Sequence, residues 1–231
     1  MKRVYREVRV APAGDGWCIL LDARTLQTPA RAPFLLPRRG LAEAIATEWD
    51  AQTEKVVPAT MPLMQLAATA IDRTAVQRGQ VIDEIVGYAQ TDLVCYRAER
   101  PPELAARQSV TWQPLVDWVT LRFDAPLLVT SGVLPKAQPP AAIAAIRAAV
   151  EPLDPLRLTA LHCATTACGS VVIGLALAER HLDAETAWQA SQLDETFQIE
   201  RWGEDAEAAA RRAALKRDIE ATDLFLRLLR S

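Results

Sequence analysis

The chain has 231 residues, 50% of them hydrophobic and 24% charged, and a formal net charge of −3. That is the composition of an ordinary soluble globular protein, long enough for one large core or two modest ones. A charge so close to zero gives no field that would draw nucleic acid. Four cysteines (Cys18, Cys95, Cys163, Cys168) follow no disulfide framework, and MKRVYREVRV lacks the apolar stretch of a secretory leader. A reducing cytoplasm is therefore expected.

Residues 4–10 (VYREVRV) alternate and read as a strand. Gly14 and Gly16 mark a turn into a second apolar run at 17–21, and the two make a hairpin. Asp22-Ala23-Arg24 interrupts that run, residues 25–28 resume an extended pattern ended by Pro29, and residues 34–36 form a short strand closed by Pro37. The first 37 residues thus predict a small antiparallel sheet. From Gly40 the period becomes helical, with Leu41, Ala44, Ile45, Glu48 and Trp49 on a helix running to about Gln52. A sheet with one helix encloses little apolar surface, so it must dock on the remainder of the chain.

That remainder is helical. Residues 63–75 and 81–90 are apolar-periodic, with Gly79 as a joint. Residues 104–121 carry Trp112 and Trp118, with Pro114 as a point where the helix restarts. Residues 127–133 (LLVTSGV) are β-like and predict a two-stranded ribbon; residues 141–150 are an alanine-rich helix. The uncharged stretch 158–178 is nearly long enough to span a bilayer, but its Thr159, His162, Thr165, Thr166 and Ser170 make it poorly lipophilic. A fully buried central helix is expected there. Residues 184–202 and 206–229 are the last two helices, the second with a stripe through Leu215, Ile219, Thr222, Leu226 and Leu229. The expected fold class is α+β: a β-rich N-terminal domain over residues 1–60, then a larger, mainly helical domain over residues 61–231.

Charge and aromatic side chains are densest at residues 193–205, LDETFQIERWGED. Six of the fourteen residues 194–207 are acidic, and Arg201 is the single basic one. Helical spacing puts Trp188, Gln192, Glu195, Ile199 and Trp202 on one stripe, with Leu193 and Phe197 on a second apolar face roughly opposite. Asp194, Gln198 and Arg201 are left for the polar side, and Glu200 lies near the edge of the second apolar face. Glu195 is thus expected in apolar surroundings, where a carboxylate needs a partner, a metal or a proton. Gly203 fits the left-handed position after a helix, and Asp205 the N-cap of the next.

Several chemistries compete for these residues. Asp194 and Glu195 as a hydrolase's acid and base fail on geometry, since neighbours on a helix diverge by about 100°. His162, Cys163 and Cys168 offer three metal ligands at most, and positions five apart on a helix differ by about 140°, so core packing is the better reading. His162 reads as a satisfied core histidine and His181 as a surface residue near a helix end. No phosphate-binding glycine loop or nucleophile elbow occurs. Trp49, Trp112 and Trp118 read as core anchors. Trp202, beside a charge cluster at a helix end, reads as half exposed.

Five stretches in order, LDARTLQTP, LAEAIATEWDAQ, MPLMQLAATAID, TDLVCYRAERPPELAARQ and LDETFQIERWGED, resemble the F1-ATPase assembly chaperones that hold the free α subunit, found in mitochondria and related bacteria. The resemblance runs from about Tyr5 to the final helix, and departs at Met64 and Ala68, where more polar residues are expected. The absence of a presequence points to the bacterial, cytoplasmic branch. The resemblance implies a chaperone with no ATPase cycle and no cofactor, which binds the α subunit before the β subunit arrives. It also implies a β-rich domain followed by a helical one, and a functional role for the acidic residues of the last motif, here Glu195 and Glu200. The expected partner-binding set is Asp194, Glu195, Gln198, Glu200, Trp202, Glu204 and Asp205, with no metal, no membrane insertion and a monomer when free. Trp202 would supply apolar area and the acids would orient arginines of the client. Glu195 has two open roles, client contact or a buried hydrogen bond between the last helices, and its apolar stripe favours the second. The rival reading is a small-molecule hydrolase using carboxylates of residues 194–205.

Overall fold

A computed structural model describes residues 2–132 and 136–230 of the chain. They form an α+β protein of two compact units. One comprises Met1–Arg78, Asp154–Ala160 and Leu224–Ser231, the other Gly79–Leu153 and Leu161–Asp223. The boundary expected between residues 60 and 61 falls inside the first of these, which also takes in two segments from far along the chain.

In the first unit, β1 (Val8–Ala13) and β2 (Gly16–Leu21) form the expected hairpin, with Val8 opposite Leu21 and Ala13 opposite Gly16. β3 (Arg24–Thr25) and β4 (Leu35–Leu36) both pair antiparallel with β2, on the edge away from β1. The first strand starts at Val8, four residues later than its alternation suggests. The Asp22 carboxylate is the cause: it accepts the amides of Arg6 and Glu7 at 3.0 and 2.9 Å, so those amides are not ladder donors. The same two bonds hold the Asp22 carboxyl below its ordinary pKa.

α1 (Arg39–Asp50) buries Leu41, Ile45 and Trp49 as their helical spacing predicts, with Ala42 in place of Ala44 as the buried alanine. α2 (Pro62–Thr69) opens on a proline, which has no N–H to satisfy, and the next two amides, Leu63 and Met64, both donate to the Glu48 carboxylate at 2.8 Å. A carboxylate from α1 therefore caps α2. A π turn (Ala70–Thr74) comes next, within which Asp72 accepts the amide of Ala30 at 3.0 Å. Ile19, Phe34, Leu36, Leu41, Ile45 and Met61 form the centre of this unit's core.

The remaining elements, in chain order, are α3 (Arg78–Tyr88), β5 (Tyr96–Arg97), α4 (Pro102–Phe123), β6 (Thr130–Ser131), α5 (Pro140–Val150), α6 (Pro155–Cys168), α7 (Val171–Ala178), α8 (Ala184–Ser191), α9 (Leu193–Trp202) and α10 (Ala206–Leu228). Gly79, expected as a joint, lies inside α3, and the chain turns instead just after the π turn. Pro114 does not restart α4, which runs unbroken for 22 residues. The carbonyl that Pro114 leaves unpaired belongs to Val110, which is exposed, so water can satisfy it. The expected ribbon is a two-residue parallel pairing of β6 with β5; Val133, at its predicted end, lies outside the described residues.

The uncharged stretch 158–178 is two helices. Gly169 takes a φ of +64° and Ser170 caps α7, its hydroxyl accepting the Ile173 amide at 3.0 Å. α7 is buried on all sides from Val171 to Leu177. A Cβ on Gly174 would come within 2.6 Å of Thr165 Oγ1, so α6 and α7 approach there through the missing side chain. Beneath the cap lies Asp92, fully buried. It accepts the Ser170 hydroxyl at 2.6 Å and the amides of Val94 and Val172 at 3.1 and 3.2 Å. Burial pushes its pKa up to about 6 against the pull of these bonds. Among the described residues no helix is long and apolar enough to cross a membrane.

Candidate functional site

The stretch LDETFQIERWGED occupies α9 and the turn into α10, all within the second unit. The single helix expected over 184–202 is broken at Gln192, whose φ of −107° and ψ of 18° separate α8 from α9. α8 ends where the buried Trp112 of α4 donates its Nε1–H to the Ala190 carbonyl at 2.8 Å. The break re-phases everything after it. Leu193 and Phe197 become the buried stripe of α9, and the stripe of Glu195, Ile199 and Trp202 turns outward.

Glu195 is accordingly exposed, and its carboxylate has no hydrogen bond or ion pair among the described residues. The expectation of a buried Glu195 is overturned. The acid drawn inward is its neighbour: Asp194 is half-buried and accepts Gln108 Nε2–H at 2.8 Å, and burial raises its pKa. Gln108 is itself buried, and its Oε1 accepts the Ala98 amide at 2.7 Å.

Phe197, 3% exposed, is flanked by two guanidinium groups, Arg201 at 4.1 Å and Arg107 at 5.2 Å from its ring centroid. Arg107 also donates to Glu200 at 2.7 Å, and Arg201 lies 3.6 Å from Glu103. Glu200 thus fastens α9 to α4. Beyond α9, Glu204 pairs with Arg212 at 3.2 Å, and Arg212 donates to Thr196 Oγ1 at 3.0 Å. Asp205 caps α10 as expected, accepting the Ala208 amide at 2.8 Å. Gly203 has the positive φ foreseen for it, 81°, but with a ψ of 171°, an extended conformation open essentially to glycine alone.

Trp202 projects from the end of α9 with 75% of its surface exposed. It stands at a cleft of about 310 Å³ between α9 and α10, with Ile199 and Leu215 as apolar lining and Glu195, Glu204 and Arg211 at its charged margins. Of the seven residues expected to bind a partner, Glu195, Gln198, Trp202, Glu204 and Asp205 gather around this cleft, whereas Asp194 and Glu200 face α4. Leu215, Arg211 and Arg212 of α10 escaped the sequence reading as site residues, since only the fold brings that helix alongside α9. Trp118, expected as a core anchor, is half-exposed and stacks on His181 at 4.7 Å. His162 is satisfied by Glu84 at 2.9 Å. Among the described residues no group of three or more potential metal ligands occurs.

Residues 2–120 match the family model described as ATP12 chaperone protein. The chain belongs to the ATP12 chaperone family. It is 25% identical over 202 residues to "Protein atp12, mitochondrial" of Schizosaccharomyces pombe, a match covering 81% of this chain and 69% of that one. It is also similar to the crystal structure of Atp12 from Paracoccus denitrificans, at 41% identity and a TM-score of 0.94, over 99% of this chain and 98% of that one. The crystal structure of the Agrobacterium tumefaciens protein Atu1473 gives 42% identity and the same TM-score, over 99% of this chain and 86% of that one. The ATP12 family match ends before α9, but the two structural matches extend over it. The cleft therefore sits on a fold that these relatives share.

Proposed function

We propose that this ATP12-family chain is an assembly chaperone of the F1 sector of ATP synthase, holding the unassembled α subunit through the α9–α10 face until the β subunit replaces it. The observation that carries the reading is Trp202, a large aromatic left in water beside a carboxylate with no partner among the described residues, over a cleft of mixed apolar and charged lining. Such an arrangement suits a protein partner: the indole supplies area to desolvate, and the acid orients a basic side chain of the client. Glu195, exposed and unpaired, takes the role of client contact. Glu204 and Asp205, already engaged with Arg212 and the α10 amides, shape the face. Asp194 and Glu200 hold α9 in place from behind. Release comes about by mass action, when the β subunit binds the same surface of the client more tightly.

The hydrolase reading needs two carboxylates converging on one bond. Asp194 points to Gln108 and Glu195 to solvent, which favours a binding role with no catalysis. The test is capture of purified F1 α subunit and suppression of its aggregation. Trp202→Ala is expected to weaken capture about thirtyfold, as loss of a central aromatic does. Glu195→Gln is expected to weaken it about fivefold, with the thermal midpoint unchanged. An α subunit that aggregates equally fast with and without the wild-type chain would overturn the reading.

A further inference from the structure

A cavity larger than the Trp202 cleft lies on neither α9 nor α10. It is a groove of about 910 Å³ in the first unit, and one of its walls is the continuous run of residues 21–29. The opposite wall is apolar: Val4, Tyr5, Trp49, Val56, Met61 and Met64. Val4 stands 81% exposed at its margin.

The first wall is a sheet edge. β3 is the last strand in the order β1-β2-β3, so among the described residues no strand pairs with its outer side. Leu26 donates its amide inward to Ile19 at 2.8 Å, and since consecutive amides of a strand alternate in direction, those of Thr25 and Gln27 face away from β2. β3 is two residues and the extended chain continues through Gln27 to the turn at Pro29, so this edge spans about 13 Å. An open edge running along an apolar trough is the geometry that receives an added strand.

The charge around the groove narrows what would lie in it. The first unit has fourteen Lys and Arg against nine Asp and Glu, whereas the second has twelve against twenty. Arg24 lines the groove, Lys2 and Arg6 flank Val4, and Lys55 precedes Val56 while bridging to Lys2. None of these four side chains forms an ion pair among the described residues. Of the acids nearby, Asp50 pairs with Arg3 and Glu7 with Arg9; Asp22, on the groove wall, keeps its charge and offsets part of the field of Arg6 and Arg24, and Lys2 and Lys55 stand opposed only by Glu54.

We propose that this groove is a second client site, which takes an extended apolar segment flanked by acidic residues as an added strand on the β3 edge. The proposal rests on the reading of the chain as a chaperone of an unassembled polypeptide. Its site is separate from the Trp202 cleft, so the two can fail independently. The probe is a fluorescein-labelled peptide with the core Val-Leu-Val-Leu-Val between paired aspartates, read by fluorescence polarisation on the full chain. Its counterparts carry lysine flanks, or N-methyl groups on alternate core amides.

The aspartate-flanked probe is expected to bind about tenfold more tightly than the lysine-flanked one, and N-methylation in one alternate register to cost about tenfold. Val4→Glu and Arg24→Glu, both at exposed positions, are each expected to weaken binding about fivefold with unchanged thermal midpoints, and Trp202→Ala to leave it unaltered. Equal affinity for both flanks, indifference to the two groove variants, or absence of any polarisation change would overturn the proposal. So would a concentration-dependent dimer that Val4→Glu dissolves, which would make a second copy the occupant. Probe binding without capture of the α subunit would count against the proposed function and leave the groove site standing. Capture through Trp202 without probe binding would do the reverse.

Discussion

Asp92 sits at the junction of α7 with the turn before β5, where its one carboxylate serves a hydroxyl and two amides. Its pKa of about 6 lies above the ordinary aspartate value of 3.8, so between those pH values the folded chain holds a proton that the unfolded chain releases. The stability this group contributes is therefore complete below about pH 4 and is lost as pH rises through 6, a change of about 3 kcal/mol. Asp92→Asn keeps an acceptor for Ser170 and removes the titration. Urea unfolding of both proteins at pH 4 and pH 6.5 is expected to show wild type losing about 2 kcal/mol relative to the variant between the two. Parallel pH dependences would show that Asp92 does not titrate as described. Asp194 and Glu195 give the complementary lesson about single residues. Which of two adjacent acids is drawn inward depends on helical phase, and one non-helical residue at 192 shifts that phase by roughly a full side-chain step of 100°. Nothing in LDETFQIERWGED announces that shift.

Elements whose stripe is continuous were legible in the sequence: α1, α4 and α5 appear close to their periodic spans, and the β1–β2 hairpin forms with its first strand shifted toward the turn. Glycine was an uneven guide: Gly14 and Gly203 mark the turns foreseen for them, whereas two others misled. Gly79 lies inside α3 and Gly169 ends α6, because glycine permits both outcomes and the neighbours decide. The start of α2 shows a device that local pattern cannot reveal, a cap borrowed from another helix. Glu48→Ala would strand the Leu63 and Met64 amides at a buried helix end and is expected to cost about 1–2 kcal/mol. Calorimetry should show the melting midpoint lowered by about 2–8 °C, with Glu48→Gln recovering part of the loss through its remaining acceptor. An unchanged midpoint in Glu48→Ala would mean that α2 needs no such cap.

Across the whole molecule, the α+β class and the family were both readable, the first from the change of period near residue 40 and the second from five ordered stretches. The membership of each unit was not. Asp154–Ala160 and Leu224–Ser231 belong with the β-rich unit, and no local pattern tells a helix segment which distant core it will join. Summing charges over the units exposes a division hidden by the modest total: a basic first unit and an acidic second one. If the proposed function holds, association of the acidic second unit with the α subunit is expected to slow by about tenfold as salt rises from 0.05 to 0.5 M, measured by stopped-flow mixing. A rate indifferent to salt would assign the encounter to apolar contact alone.

Of the six tryptophans, Trp202 alone is exposed. The chain therefore contains a built-in optical probe whose indole emits from water when the face is vacant and from a drier setting when it is covered. Occupancy of that face can be followed by the colour of this emission and its protection from a dissolved quencher, with no dye attached to either protein.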